Sequence, residues 1–134
     1  MIEYTAQILK CNEPSVTGKI YLKDEVEKAI AVYMKKDNLG ELGSDYNPAW
    51  VNAPPLMSIN LDQVSHKIID TYVDDDGWWC ARIEVLETPM GKILTGLLEA
   101  GIEPRLTLRC VGIVGARTVI SEIDIIAIDV ADHV

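Results

Sequence analysis

Apolar and polar positions change period several times along the chain, and each change marks an element. Residues 2–9, IEYTAQIL, mix β-branched and polar side chains and predict a strand. Pro14 and Gly18 break the pattern over residues 12–18. Over residues 23–36, Val26, Ala29, Ile30, Tyr33 and Met34 recur at helical spacing, with Glu and Lys on the opposite side. That spacing predicts an amphipathic helix, and Asn38 and Gly40 suit its end. Residues 67–73 and 78–86 are β-rich runs flanking Asp74-Asp75-Asp76-Gly77, which predicts a hairpin. On the second run Trp79, Ala81, Ile83 and Val85 share one face, while Trp78, Cys80, Arg82 and Glu84 share the other. Thr88-Pro89 then starts a helix: the hydroxyl can cap it, and proline at the first position loses no needed donor. Its apolar stripe is Met90, Ile93, Leu94, Leu97 and Leu98, and Gly101 ends it. Two long strands, 105–114 and 119–130, follow around Gly115-Ala116-Arg117.

One stretch fits neither period. Residues 44–57 hold Asn47, Pro48, Asn52, Pro54 and Pro55 beside Tyr46 and Trp50, and read as a long loop. Long loops in compact domains often carry function. The element order is α+β. It suits one domain spanning residues 1–134, with an antiparallel sheet closed or nearly closed into a barrel and two flanking helices.

Composition narrows the classes. With 134 residues and 49% hydrophobic positions, the chain can bury a core without staples. The net charge of −9, with no Lys/Arg cluster, argues against nucleic-acid binding. Cys11, Cys80 and Cys110 are odd in number and widely spaced, so neither a disulfide framework nor a zinc site is expected. The N-terminus lacks a signal-peptide pattern, and no apolar run has the length to cross a bilayer, so a cytoplasmic protein without membrane contact is expected. The acidic turn at Asp74 lacks the spaced ligands and distal Glu of a calcium loop, and no phosphate-binding glycine motif occurs. No metal or cofactor is expected.

Several segments line up with one family. GKIYLKDEVEKAI (18–30) is similar to its "N-G-R-V-Y-P…V-L" entry into the first helix, and LGELG (39–43) to its "L-G-E-L-x-H-P". INLDQVSH (59–66) is similar to "v-N-L-d-x-x-S-H", and LETPMGKILTGLLEAGI (86–102) to "l-x-T-P-x-G-k-i-x-x-x-L-i-x-x-G-v". RLTLRCVG (105–112) falls where that family has "G-V-S-S-R-G-x-G", and IDVADHV (128–134) resembles "D-V-V-A-D-P-S". In this order, and over nearly the whole chain, the sequence resembles the prohead core protease of tailed phages, whose fold is similar to the herpesvirus assembly protease (assemblin). The resemblance implies a β-barrel serine-peptidase fold wrapped by helices. It also implies a role in the assembling phage head, in the host cytoplasm or the prohead and virion, with scaffold or capsid proteins as partners and self-association of the fold.

A serine peptidase needs a hydroxyl nucleophile, a base in reach of it and a group that orients the base. The resemblance assigns the base to the histidine of "G-E-L-x-H-P", where this chain has Ser44, followed by Asp45 in place of Pro. A neutral serine is no base near pH 7. The nucleophile position holds Thr107, the second family serine is Leu108, and Arg109 is retained. Asp129 or Asp132 falls near the acidic third member, and Cys110 replaces a glycine. The link from Ser44 to Asn60 is longer than the family's and contains Tyr46 and Trp50. The site thus reads as vestigial, with Tyr46, Trp50 and Arg109 as candidate binding residues.

This leads to a non-enzymatic phage protein, derived from the prohead protease, that binds in head assembly. The alternative is an active serine-type endopeptidase with Thr107 as nucleophile, His66 as base and Asp129 in support, cleaving scaffold and capsid proteins. A third reading is a counter-defence protein holding a host protein or small ligand. His66 also has a structural reading, as the packed histidine of the Ser-His pair. His133 lies in the C-terminal segment, and Cys110 reads as core.

Overall fold

The computed structural model describes residues 2–36, 38–43 and 59–131. The described elements are β1 (Ile2–Lys10), β2 (Ile20–Tyr21), α1 (Lys23–Tyr33), β3 (Leu39–Glu41), β4 (Val64–Val73), β5 (Trp78–Val85), α2 (Pro89–Glu99), β6 (Arg105–Val114) and β7 (Val119–Ala131). They form a four-stranded sheet of order β1-β5-β4-β3 and a three-stranded sheet of order β2-β7-β6. All pairings are antiparallel except β2 with β7. The α+β expectation holds. The expected closed barrel is not detected among the described residues, because the ladders run in two sheets. Leu42, just past β3, makes one parallel bridge to Val130, and Gly43 donates its N–H to the Val130 carbonyl at 2.8 Å. On the far side, the Tyr4 hydroxyl donates to the Pro104 carbonyl at 2.9 Å, where β1 lies beside β6.

The hairpin forms for the reason its sequence gives. Asp74 Oδ1 accepts the N–H groups of Asp76 and Trp78, both at 2.9 Å, and Gly77 takes the left-handed conformation the turn requires. The acidic run is therefore a turn-former. On β5, Trp79, Ala81, Ile83 and Val85 all face the core. Trp79 Nε1 donates to Thr71 Oγ1 at 2.8 Å, which satisfies its one polar atom. Half-buried Trp78 lies under the Lys10 ammonium, 5.7 Å from the ring centroid.

Both helices are placed by their apolar faces. Helix α1 buries Val26, Ala29 and Tyr33 and carries Asp24 and Glu25 in its first turn, where the helix dipole favours acids. It stops at Tyr33, short of residue 36. Asn38, its amide turned to donate to the carbonyls of Tyr33 (2.8 Å) and Lys36 (3.0 Å), closes the end. Gly40 plays no part in that: it lies in β3. Helix α2 is capped by Thr88, whose Oγ1 accepts the Gly91 N–H at 3.0 Å and donates to the Val64 carbonyl. Gly91 is needed for packing, since a Cβ there would lie 1.8 Å from the Leu86 carbonyl oxygen.

The core sits between the sheets. Ile68, Trp79 and Ile83 from one sheet meet Leu106, Ile128 and Val130 from the other, with Val26 and Tyr33 of α1 and Leu94 of α2. Each such large apolar side chain contributes about 1.5–3 kcal/mol on full burial. The three cysteines are free, with Cys110 half-buried and packed against the core, its Sγ 3.9 Å from the Tyr21 hydroxyl. Among the described residues no helix is long and apolar enough to cross a membrane.

Candidate functional site

Strands β6 and β7 pair with Thr107 directly opposite Asp129, so the two share a face of the sheet. Leu106 and Leu108, with Val130 and Ile128 opposite them, occupy the core face. Alternation therefore puts Arg109 beside Thr107 and Asp129 on the reverse side. Arg109 reaches back to Asp129 through Nε to Oδ2 (2.7 Å) and Nη2 to Oδ1 (3.2 Å). From the edge strand β3, Glu41 Oε2 accepts a second contact from Arg109 Nη2 at 2.6 Å. The Glu41 N–H in turn donates to Asp129 Oδ1 at 3.0 Å, and the Asn60 N–H to Glu41 Oε2 at 3.3 Å. Among the described residues, two carboxylates and one guanidinium are thus buried together. Burial pulls the guanidinium's pKa down, but the hydrogen bonds and charges of Asp129 and Glu41 outweigh it and hold the pKa above the ordinary value.

Two hydroxyls near this cluster have no hydrogen-bond partner among the described residues: Thr107 Oγ1 and Tyr33 Oη. Burial pushes the Tyr33 phenol's pKa up, and the charge of Asp129 adds to the effect while Arg109 opposes it. The phenol stays protonated.

His66 lies in β4, fully buried and opposite Gly40 of β3. Its Nε2 is 2.8 Å from the Ile128 carbonyl, and its Nδ1 is 2.7 Å from Ser65 Oγ. A carbonyl only accepts, so Nε2 carries the proton and Nδ1 accepts from the serine hydroxyl. Burial lowers the imidazole's pKa, with the Ile128 hydrogen bond and the Asp129 charge opposing it, so the ring is neutral. The hydrogen bond passes beside β3 because Gly40 has no side chain. A Cβ at Gly40 would stand 2.0 Å from His66 Nε2 and 2.4 Å from the Ile128 oxygen.

Of the residues expected from sequence, the structure brings Thr107, Arg109 and Asp129 onto one face. No hydrogen bond joins His66 to Thr107 or to Asp129. Ser44, Tyr46, Trp50, Asp132 and His133 lie outside the described residues. Glu41 was missed as a site residue, although it stands in the LGELG segment. The available signal was Arg109 itself, since an arginine in an otherwise apolar strand needs carboxylates from elsewhere in the fold. Among the described residues no group of three His, Cys, Asp or Glu side chains is placed to hold a metal ion.

No protein-family model matches the chain, and no curated protein matches it. Among solved structures it is similar to the bacteriophage T4 capsid assembly protease, gp21, at a TM-score of 0.78 and 20% sequence identity. The match covers 98% of this chain and 82% of that chain. It spans both sheets and both helices, and with them the strands that carry Thr107, Asp129 and His66. This chain has a prohead-protease-like fold.

Proposed function

We propose that this chain is a non-enzymatic phage protein built on the prohead-protease fold, and that it acts by binding scaffold or capsid proteins during head assembly. The role in the head rests on the likeness to a capsid assembly protease. The loss of catalysis rests chiefly on His66. Its one lone pair accepts from Ser65, and its N–H is committed to the Ile128 carbonyl. Taking a proton from Thr107 would require that lone pair to be free and aimed at Oγ1. The position assigned to the family's base holds Ser44, which cannot substitute near pH 7. Asp129, the candidate acid, is held by Arg109 and the Glu41 N–H instead of orienting an imidazole. Tyr46 and Trp50 remain the binding candidates, on the sequence argument given above, whereas Arg109, also a candidate from sequence, is buried and committed to Glu41 and Asp129.

One observation favours the active-peptidase reading: among the described residues Thr107 Oγ1, buried opposite Asp129, has no hydrogen-bond partner, as a poised hydroxyl would. Two measurements separate the readings. Intact mass after treatment with a fluorophosphonate probe, with Thr107→Ala as control, reports whether the hydroxyl is activated. Co-sedimentation with proheads reports binding. The expected result is no mass gain together with co-sedimentation. A stoichiometric gain that vanishes in Thr107→Ala would replace this function with an active endopeptidase.

A further inference from the structure

The far end of the β6–β7 ladder from Thr107 and Asp129 carries apolar side chains into solvent. Residues 112–118 are all exposed. Ile113 and Val114 are 56% and 50% exposed, and as successive strand positions they point to opposite faces of the hairpin. A second tip lies against this one. Ser15 donates its N–H to the Lys19 carbonyl and Gly18 donates to the Ser15 carbonyl, which closes a turn around Val16, itself 69% exposed. Thr118 Oγ1 donates to the Gly18 carbonyl at 2.8 Å, and Ile20 pairs with Val119, so the two tips are fastened side by side. Scattered apolar residues are ordinary on a surface, but three on two adjoining tips make a patch.

Charge sets this patch apart from the rest of the chain. The net charge is −9, yet residues 14–23 and 104–121 contain no Asp or Glu. Lys19 and Arg117 stand on the two tips. Of the acids that bound these segments, Glu13 is paired with Lys10 at 3.2 Å, Asp24 lies in the first turn of α1, and Glu122 lies in the irregular stretch of β7 between Ser121 and Asp124. Arg117 has φ 59° and ψ 28°, a left-handed conformation that glycine or asparagine adopts more readily than arginine. It is in no ion pair among the described residues. The turn itself thus gives no reason for an arginine at this position.

We propose that the joined tips are a docking surface for an acidic amphipathic segment of a different protein. Apolar side chains of that segment cover Val16, Ile113 and Val114, and carboxylates beside them pair with Arg117 and Lys19. A guanidinium among apolar contacts is a common hot spot of protein interfaces. The bulk of the chain repels acids, so the positive tips decide where an acidic segment lands. Isoleucine and valine offer a phosphate backbone nothing, and an anionic lipid surface would repel a chain of this net charge. A second copy would set Arg117 and Lys19 against their own counterparts. The surface lies apart from the Arg109 cluster, and its chemistry stands whether or not the chain acts in the phage head.

Fluorescence anisotropy of a labelled helical peptide of Leu and Glu, titrated with the full chain, tests the docking. Saturable binding is expected, weakening as salt rises from about 50 mM to about 500 mM. The same peptide with Lys in place of Glu, a single-stranded oligonucleotide and phosphatidylserine vesicles should bind far more weakly. Arg117→Glu, and Ile113→Ser together with Val114→Ser, are each expected to lower the affinity at least about tenfold. Arg117→Gly should also lose affinity, while its thermal midpoint by circular dichroism stays level or rises, because glycine accepts the left-handed backbone freely. No saturable binding of the Glu peptide, equal or tighter binding of any control, unchanged affinity in the variants, or a fall in the Arg117→Gly midpoint would each overturn the proposal.

Discussion

Arg109 lies between Leu108 and Cys110 on β6, and its guanidinium, close to nine-tenths buried, is met by Glu41 from β3 and Asp129 from β7. Taking three charged groups out of water carries a desolvation penalty that their mutual attraction only partly offsets, so the cluster is poor evidence of added stability. Its effect is geometric: it fixes the short strand β3 against β7 and holds both carboxylates in one orientation. Removing the cation alone is another matter, because the carboxylates of Glu41 and Asp129 would both lose the guanidinium that pairs them. Arg109→Ala is expected to lower unfolding stability by about 3–5 kcal/mol in urea titrations at neutral pH. Adding E41Q and D129N to that variant should recover part of the loss, since neither side chain then carries a charge. A loss under about 1 kcal/mol for the single variant would mean that water reaches the cluster, as it does at surface pairs.

Strand β3 is three residues long, yet it pairs with β4 and leads directly into the Leu42 bridge to β7. Gly40 makes that position possible, since only a backbone without a Cβ fits between His66 and the Ile128 carbonyl. Gly40→Ala is expected to lower stability by about 3 kcal/mol, combining overpacking with damage to the His66 hydrogen bond. The midpoint of urea unfolding, beside a Gly96→Ala control whose Cβ meets nothing among the described residues, measures it. The same glycine marks where sequence reading ran out. Elements with a long period or explicit turn and cap chemistry were legible: the β4–β5 hairpin through Asp74 and Gly77, α2 through Thr88 and Pro89, and the long β6–β7 pair. Strands β2 and β3 were not, because two or three residues hold no period and their pairing comes from distant strands. Gly40 suited a helix end by type, whereas its requirement comes from His66 and Ile128, far away in sequence. Within the site, Thr107, Arg109, Asp129 and His66 were all named from sequence. Their connections were not legible: His66 turned out to be bonded across β3 to β7, and the partner of Arg109 on β3, Glu41, was overlooked.

At the scale of the whole molecule, the two sheets are held together by the core and by polar links, of which His66 is the most buried among the described residues. Its Nε2–H runs from β4 to the Ile128 carbonyl on β7, so one side chain ties the four-stranded sheet to the three-stranded one. That bond survives protonation, since Nε2 carries a proton in either form; what protonation adds is a charge in a buried site. Burial lowers the folded-state pKa below the ordinary 6.5, so over the interval between the two values the unfolded chain binds a proton that the folded chain does not. Stability therefore rises with pH across that interval. The contribution is fully present above about pH 6.5, is lost progressively as pH falls below it, and stops changing once the folded ring is itself protonated. Protonation at Nδ1 would also displace the Ser65 hydroxyl from its role as donor. Urea midpoints for the wild type should accordingly fall between pH 7.5 and pH 5.5, a range above the ordinary titration of carboxylates. His66→Gln, whatever its absolute stability, should show a flatter dependence over the same range, because the titrating group is gone. An equally steep fall in His66→Gln would assign the effect to other groups and leave His66 as a packed side chain whose protonation the fold does not feel.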